Sequence, residues 1–393
     1  MSVCRRFYSI AVFTFLFLAV AMLPASSNAE DVTHVSTRVP VVGPGRELSA
    51  VRPAGADEVP PAEQIPSAPH KWKLLATIPG AVIHDIAFPS RWVGYAAAEL
   101  GQVWKTTDGG TTWTEVMNLG FPYYWYGVAT LSTSVDDVVV SGFDDNNFQG
   151  IIRWSHDGGK NWSNDIVLTT TGWSDRIRFA NPSDGLVVDQ LSIAQGKPNL
   201  AHYTTEGGIK GNEWKANVPD KNGGWFGDEF SLQSNLHVRM SGITYCASDN
   251  GGANWSCGPS VDSVFDGPTF FVDDNHGWVG GGEISPSVAG WVHRTTDGGK
   301  TWSGRVLNTP WPIREIWFLT PYVGWASGGN YSQNLGGMYF SNDGGATWSF
   351  DASTEAEMGS CDSWAANGSN KVWCAGYDSS FNGVIYELNI ASK

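Results

Sequence analysis

One short pattern recurs along this chain and constrains its fold more than any other feature. A Ser or Thr, an Asp-Gly-Gly or Asn-Gly-Gly turn and a closing Trp occur together five times, at 106–113, 155–162, 248–255, 295–302 and 341–348. A degenerate copy, Thr204-Thr-Glu-Gly-Gly, precedes Trp214. Successive tryptophans lie 49, 52, 41, 47 and 46 residues apart. A period of this size with glycine and aromatic signals predicts a β-propeller.

Each repeat has room for four short strands, most clearly in the first unit. We predict strands at Val82–Phe88, Val93–Ala98, Gln102–Thr106 and Thr112–Val116. A seventh unit, from Met358 to Ile390, lacks the repeat, and Lys71–Leu75 can supply its missing outer strand. The predicted fold class is therefore all-β: a single seven-bladed β-propeller of four-stranded antiparallel blades, closed by the N-terminal strand in the last blade.

The acidic or amide residue of each repeat is predicted to be structural rather than catalytic. Its side chain can accept hydrogen bonds from nearby turn amides, the two glycines supply positive φ, and the Trp packs between blades. The residues concerned are Asp108, Asp157, Asn250, Asp297 and Asp343.

The N-terminus has the composition of a secretory signal. Arg5 and Arg6 precede an apolar run from Ile10 to Leu23, and Ser27-Asn28-Ala29 fits a cleavage site. We predict a signal peptide at 1–29, a Pro-rich flexible segment at 30–69, the propeller at 70–393 and a secreted, extracellular protein with no membrane span once the signal is removed. A net charge of −15 argues against a nucleic-acid partner.

Four cysteines remain after the predicted cleavage, an even number that suggests two disulfides. Cys246 falls opposite Cys257 if Ser248 faces Trp255 across a hairpin, and Cys361 and Cys374 are symmetric about Asn367-Gly368. Both predicted bridges are local and cross-strand. Four glycosylation sequons occur, at Asn161, Asn254, Asn330 and Asn367.

The repeat resembles the signature of the BNR or Asp-box superfamily, which includes sialidases, xyloglucanases and the sortilin receptors. The longer pattern, with Asp85-Ile-Ala-Phe, Val93-Gly-Tyr-Ala and Thr107–Trp113, is most similar to the photosystem II stability and assembly factor family. That resemblance implies a seven-bladed propeller that presents an arginine-rich patch to a membrane-protein client. The predicted propeller has only eight arginines, at positions 91, 153, 176, 178, 239, 294, 305 and 314.

Resemblance to sialidases implies three arginines that clamp a carboxylate, with acidic residues beside them. Arg176, Arg239 and Arg314 could converge, but the sialidase Arg-Ile-Pro motif is absent. The acidic residues at starts of inner strands can equally line the channel as paired polar groups: Asp175, Asp228, Glu229 and Glu315. We predict no catalytic residue and no cofactor. We also predict no metal site, since the acidic turns Asp144–Asn147 and Asp273–Asn275 lack calcium-loop spacing.

Large aromatics precede four inner strands, flanked by Gly and Pro, which indicates loops on the face where propellers usually bind ligands. Exposed rings there would stack on sugars or partner side chains, or else plug the channel. We predict a non-enzymatic binding or scaffold propeller that recognises a glycan or an extracellular protein. A glycoside hydrolase and a photosystem-assembly-type chaperone are the alternatives. The predicted ligand-binding residues are Tyr123, Tyr124, Trp125, Trp173, Arg176, Trp225, Phe226, Trp311 and Arg314.

Overall fold

The computed structural model of this protein describes residues 70–131, 134–170, 172–191, 199–220, 226–262, 266–283, 289–366 and 369–391. The predicted signal peptide and Pro-rich segment, together with Trp225 and Asn367, lie outside the described residues. Within them the regular structure is almost entirely β-strand, with 3-10 helices at Gly211–Glu213 and Tyr331–Gln333.

The strands form seven four-stranded antiparallel sheets, so the predicted fold class is confirmed. The first strand, β1 (Lys73–Ile78), belongs to the last sheet. Blade 1 contains β2 (Ile83–Ala87), β3 (Gly94–Ala98), β4 (Gln102–Thr106) and β5 (Thr114–Asn118). Blade 2 contains β6 (Tyr123–Thr130), β7 (Val138–Asp144), β8 (Gln149–Ser155) and β9 (Ile166–Thr169). Blade 3 contains β10 (Gly172–Phe179), β11 (Gly185–Leu191), β12 (Leu200–Thr204) and β13 (Lys215–Asn217).

The second half of the chain repeats this order from the inner to the outer strand. Blade 4 contains β14 (Phe226–Leu232), β15 (Val238–Gly242), β16 (Thr244–Ser248) and β17 (Ser256–Pro259). Blade 5 contains β18 (Asp266–Phe271), β19 (Gly277–Glu283), β20 (Ala289–Thr295) and β21 (Leu307–Thr309). Blade 6 contains β22 (Ile313–Phe318), β23 (Gly324–Asn330), β24 (Leu335–Ser341) and β25 (Ser349–Thr354). Blade 7 contains β26 (Glu357–Ala366), β27 (Ser369–Tyr377) and β28 (Gly383–Ala391).

The ring closes where the two ends of the propeller meet, as the sequence predicts. β1 pairs antiparallel with β28 and completes blade 7, while β26 contacts β2 of blade 1. Just before β1, the His70 backbone N–H donates to Asp351 Oδ1 of blade 6 (2.6 Å), and the Trp72 indole N–H donates to Asp351 Oδ2 (2.8 Å). Because Trp325 Nε1 also donates to Oδ2 (2.9 Å), one buried carboxylate fastens the N-terminal arm to blade 6.

Tryptophans also connect neighbouring blades directly. Trp373 of blade 7 stacks on Phe88 of blade 1 with ring centroids 3.8 Å apart, and its indole N–H donates to the Gly109 carbonyl (2.9 Å). Trp278 of blade 5 makes the same pair of contacts with Phe318 (3.4 Å) and the Gly344 carbonyl (2.9 Å) of blade 6. Buried stacking with a satisfied indole N–H makes these tryptophans strong inter-blade contacts.

Both predicted disulfides are present. Cys246 lies opposite Cys257 across β16 and β17, and Cys361 lies opposite Cys374 across β26 and β27, each with Cα atoms 4.1 Å apart. Each bridge joins neighbouring strands of one blade, so it stabilises a single sheet rather than tying two blades together.

Candidate functional site

The two faces of the ring differ in the connections that they carry. The lower face holds the Asp-Gly-Gly turns and the turns between the first and second strands of each blade. These are joined by hydrogen bonds such as Gly109 N–H to the Trp92 carbonyl and Gly344 N–H to the Tyr322 carbonyl, both 2.8 Å. The upper face holds the turns between second and third strands and the connections between blades. The predicted aromatic residues belong to the upper face.

Several of these aromatics lie in strands, although their Gly and Pro neighbours predicted loops. Tyr123, Tyr124 and Trp125 are part of β6, and Trp173 is part of β10. Trp125 is fully buried between blades 1 and 2, and Tyr124 is only 8% exposed, so the prediction of exposed rings is wrong for these two. The physical reason is that successive side chains of an inner strand point to opposite faces of the blade, and both faces pack against neighbouring blades.

Three other predicted aromatics reach the surface in part. Tyr123, Trp173 and Trp311 are all half-buried, and Trp311 packs against the blade 6 core beside Tyr339, with ring centroids 6.4 Å apart. Phe226 begins β14, and its side chain lies outside the described part of the chain. Of the three half-buried rings, Trp173 contacts an upper-face ring of the preceding blade, Phe143 of blade 2.

Trp173 belongs to a chain of ring contacts that crosses the upper face. It lies 6.1 Å from Phe143, which lies 5.3 Å from Phe148. Tyr124, opposite Phe143 in the β6–β7 ladder, stacks at 6.5 Å on Tyr126.

The same chain of contacts continues into blades 1 and 7. His84 of blade 1 lies 5.1 Å from Tyr126 and 6.1 Å from Tyr377 of blade 7. The rings span blades 3, 2, 1 and 7, and all except Phe143 and Tyr124 are half-buried. We call this set the aromatic arc: Trp173, Phe143, Phe148, Tyr124, Tyr126, His84 and Tyr377.

Negative charge lies beside the aromatic arc. Glu99 Oε1 is 3.4 Å from His84 Nε2, and Asp145 lies in the turn that also holds Phe148. Burial first, and then the charges of Glu99 and Asp145, raise the pKa of Tyr124 to about 12. Burial and the neighbouring Asp144 also raise the pKa of Asp145 above its usual value. The region is thus a partly desolvated surface with negative potential.

Upper-face turns in the same blades hold apolar residues in the left-handed region. Leu100 (φ 58°), Phe148 (φ 54°) and Phe381 (φ 61°) occupy the turns between second and third strands of blades 1, 2 and 7. A bulky residue in this conformation costs about 1 kcal/mol or more, and such strain concentrates at functional sites. Leu100 is 39% exposed, so the turn presents an apolar side chain next to Glu99.

Arg176, predicted to bind ligand, lies beneath the aromatic arc and does not reach the surface. It is 6% exposed, and its guanidinium donates to the backbone carbonyls of His84 and of Tyr126 (2.7 Å). It also donates to the Gly359 carbonyl of blade 7 (3.2 Å), and its Nε lies 2.5 Å from Glu229 Oε1. Arg176 therefore holds the backbones of three blades together under the rings.

A buried ion network fills the channel below Arg176. Arg178 Nη1 donates to Asp85 Oδ2 (2.7 Å) and its Nη2 to Glu229 Oε1 (3.2 Å), and all three residues are less than 4% exposed. Ser360 of blade 7 donates to Asp85 Oδ1 (2.8 Å). Glu229 is one of the four acidic residues expected to be paired polar groups, and it is paired here, in a network that links blades 1, 3, 4 and 7.

The three arginines considered for a sialidase-type clamp occupy separate environments. Arg176 lies in the channel, whereas Arg239 donates to the Val238 and Ser248 carbonyls within blade 4, at the lower face. Arg314 Nε lies 2.9 Å from Glu357 Oε1. Among the described residues no group of three or more His, Cys, Asp or Glu side chains has metal-binding geometry.

On the lower face, four turns with aspartate repeat one set of hydrogen bonds. The aspartate Oδ1 accepts the backbone N–H four residues later at 2.8–2.9 Å, and Oδ2 accepts the side chain there at 2.6 Å. Asn250 accepts the Asn254 N–H in the same way (2.8 Å). Both glycines of each repeat have positive φ. The hydrogen bonds expected from the sequence are therefore present, and they are committed to the turns.

The sequons differ in accessibility. Asn161 and Asn254 are exposed in these turns, although Asn161 Nδ2 donates to Asp157 Oδ2 (2.6 Å). Asn330 is 6% exposed and its Oδ1 accepts from Ser332, so its burial conflicts with the predicted glycan at that position.

Sequence reasoning missed His84, Tyr126 and Tyr377, although one signal was available for Tyr126. In the run Tyr123–Tyr126, a strand places Tyr124 and Tyr126 on one face and Tyr123 and Trp125 on the other, as their ring contacts show. His84 and Tyr377 carry no comparable signal, because their proximity depends on closure of the ring.

Comparison with solved structures agrees with this architecture. YCF48 bound to D1 peptide is 16% identical over 84% of this chain and 99% of that chain, with a TM-score of 0.57. YCF48 from Cyanidioschyzon merolae is 20% identical over 82% and 99%, with a TM-score of 0.59. The WD40 propeller domain of Doa1 is 14% identical over 81% and 97%, with a TM-score of 0.52.

These similarities concern the fold. No protein-family model matches the sequence, and no curated protein matches it. No helix in the described ranges is long and apolar enough to cross a membrane. The shared architecture is that of a seven-bladed β-propeller, a fold that does not by itself define a function.

Proposed function

We propose that this protein is a secreted, non-enzymatic binding propeller that docks an extracellular protein on its aromatic arc. The observation that carries this proposal is a pair of ring-contact sets, linked by the Tyr124–Phe143 strand pair, that together span blades 3, 2, 1 and 7 and include five half-buried rings. Aromatic side chains supply large contact area at low entropic cost, which is why they are enriched where proteins bind one another.

Three further features support the proposal. Arg176 and the ion network below it fix the backbones that carry the rings, so the surface is largely pre-formed. The two disulfides fit an oxidising compartment and so support secretion. Among proteins of this fold, YCF48 has been captured with a bound D1 peptide, which supports recognition of a polypeptide segment and keeps an assembly-chaperone role as an alternative.

A glycan is the second candidate ligand, because the half-buried Trp173 and Tyr126 rings also suit the apolar faces of sugars. Hydrolysis of a glycoside is the alternative from another class. The separate environments of Arg176, Arg239 and Arg314 do not support a sialidase-type clamp.

One experiment distinguishes these functions. Residues 30–393, produced by secretion, are screened against an extracellular-protein array, a glycan array and a panel of fluorogenic glycosides. Trp173→Ala serves as the site variant. Trp92→Ala is the matched control, because Trp92 is 53% exposed on a lower-face turn.

Protein binding that Trp173→Ala weakens and Trp92→Ala leaves intact supports the proposal. Glycan binding with the same dependence supports the second candidate, and turnover supports the hydrolase. Binding that is lost only in Trp92→Ala would move the site to the lower face and refute the proposal.

A further inference from the structure

Carboxylates and rings are interleaved at the centre of the aromatic arc. Glu99 contacts the His84 ring, and Glu99 and Asp145 both act on Tyr124 and Tyr126. Asp144, next in sequence to Asp145, is 4% exposed and accepts hydrogen bonds from the Asn146 backbone (3.1 Å) and the Asn147 side chain (2.6 Å). The Asp145 backbone N–H donates to the Pro122 carbonyl (3.1 Å), so this turn lies against the start of β6, the strand that carries Tyr124 and Tyr126.

The positive charges nearby are already engaged elsewhere. Arg176 bonds backbone carbonyls and Glu229, and Arg153 Nε lies 2.5 Å from Asp165 Oδ1. In the described ranges, no ion pair or side-chain hydrogen bond involves the Asp145 carboxylate, which is half-buried. A partly desolvated carboxylate without a cation is costly, and an arriving cation would relieve that cost.

Aromatic faces favour the same kind of ligand group. A guanidinium or ammonium within about 6 Å of a Tyr or Trp centroid is attracted by the ring quadrupole. Exposed Leu100 (39%) and Phe121 (47%) on neighbouring upper-face turns offer apolar contacts around the charged centre. The molecule as a whole carries 39 acidic against 24 basic residues, so it would attract a basic segment from a distance.

We propose that the aromatic arc recognises a basic side chain, Lys or Arg, within an apolar segment of the partner protein, bound between Tyr126 and the carboxylates of Glu99 and Asp145. This inference rests on the proposed function and adds the chemistry of the recognised segment. An acidic segment would be repelled by the same carboxylates, and a purely apolar one would leave the half-buried Asp145 carboxylate without a cation.

The test uses a displayed library of random dodecapeptides, selected on the immobilised chain 30–393. We expect enrichment of peptides with Lys or Arg next to apolar residues. The double variant Glu99→Gln/Asp145→Asn should bind the enriched peptides at least about tenfold more weakly, equivalent to about 1.4 kcal/mol. Wild-type affinity should also fall with added salt, because salt screens exposed charges.

A matched double variant controls for the loss of two charges. Glu115 and Glu206 are exposed and lie away from the aromatic arc, on β5 and on a lower-face turn, so Glu115→Gln/Glu206→Gln should leave binding unchanged. Equal weakening by both double variants would show a long-range charge effect and overturn the inference.

The outcomes separate this inference from the proposed function. Enriched peptides without basic residues that still require Trp173 would overturn the inference and leave the proposed function standing. Failure to enrich any peptide that depends on Trp173 would count against both. Thermal melts of all variants verify that the fold is retained.

Discussion

The lower and upper faces of this propeller are built from the same blades, but they differ in regularity. On the lower face, four turns repeat one hydrogen-bond pattern to within 0.1 Å. On the upper face, the turns between second and third strands differ in length: one residue lies between β15 and β16, and five residues lie between β27 and β28. Regular turns stabilise each blade locally, whereas the irregular turns position side chains that no single blade could bring together.

The largest expected effect comes from breaking the ring that both faces share. Deletion of residues 70–77 removes most of β1 and the donors to Asp351, which leaves β28 as an open edge. We expect loss of cooperative unfolding in thermal melts monitored by near-ultraviolet circular dichroism. Deletion of residues 30–65, which lie outside the described part of the chain, is the control and should leave the melting temperature unchanged. Equal melting of both truncations would contradict closure by β1.

A smaller loss of stability should follow from removing the Asp351 carboxylate, which fastens the N-terminal arm to blade 6. Asp351→Ala leaves the donors of His70, Trp72 and Trp325 without their buried acceptor. We expect a destabilisation of about 3 kcal/mol in urea unfolding. Asp136→Ala is the control, because Asp136 is about half exposed and pairs with Lys105 at 3.4 Å. A similar loss of stability in both variants would mean that the buried Asp351 carboxylate contributes no more than a half-exposed one.

The two faces also differ in how far sequence alone could predict them. The period, the glycine turns and the cysteine spacing are local signals, so the blades, their closure and both disulfides could be predicted. Trp125 and Trp173 occupy similar positions before or within inner strands, yet one is fully buried and the other half-buried. That difference depends on tertiary packing: Trp125 lies in the core between blades 1 and 2, whereas Trp173 contacts Phe143 near the upper face. The approach of His84 to Tyr377 requires contacts between opposite ends of the chain, so sequence spacing gave no indication of it.

A comparison of two variants distinguishes a scaffold tryptophan from a site tryptophan. Trp278→Ala should cost about 3–5 kcal/mol, because Trp278 is 1% exposed, stacks on Phe318 and donates to Gly344. Trp173→Ala should cost about 1 kcal/mol, since the ring is half-buried, but it should weaken partner binding. Urea unfolding and a binding measurement on each variant test this difference. Should Trp173→Ala be as unstable as Trp278→Ala, the aromatic arc would be core rather than binding surface.

The smallest expected effect tests the lower face through pH. Hydrogen bonds donated by the Asn161 side chain, and next by its backbone N–H, lower the pKa of Asp157 from 3.8 to about 2. Burial raises the pKa of the other three turn carboxyls, but similar hydrogen bonds outweigh it and lower the pKa of Asp108, Asp297 and Asp343. Since folding lowers these pKa values, protons bind the unfolded chain more tightly. The stability that these carboxylates contribute is complete above about pH 4 and is lost as the pH falls towards 2.

Asn250 shows that the turn forms with an amide in place of the carboxylate. Asp297→Asn should therefore retain the fold, reduce the stability lost between pH 4 and pH 2, and change stability at pH 7 by less than about 1 kcal/mol, because the site is largely exposed. Asn250→Asp is the reciprocal variant and should increase the stability that is lost between pH 4 and pH 2. Urea midpoints of the wild type and both variants are measured at pH 7 and pH 3. An identical pH dependence in all three proteins would show that the turn carboxylates do not control acid stability. The acid sensitivity would then lie in buried carboxylates such as Asp351, whose hydrogen bonds from His70 and Trp72 also lower its pKa despite burial.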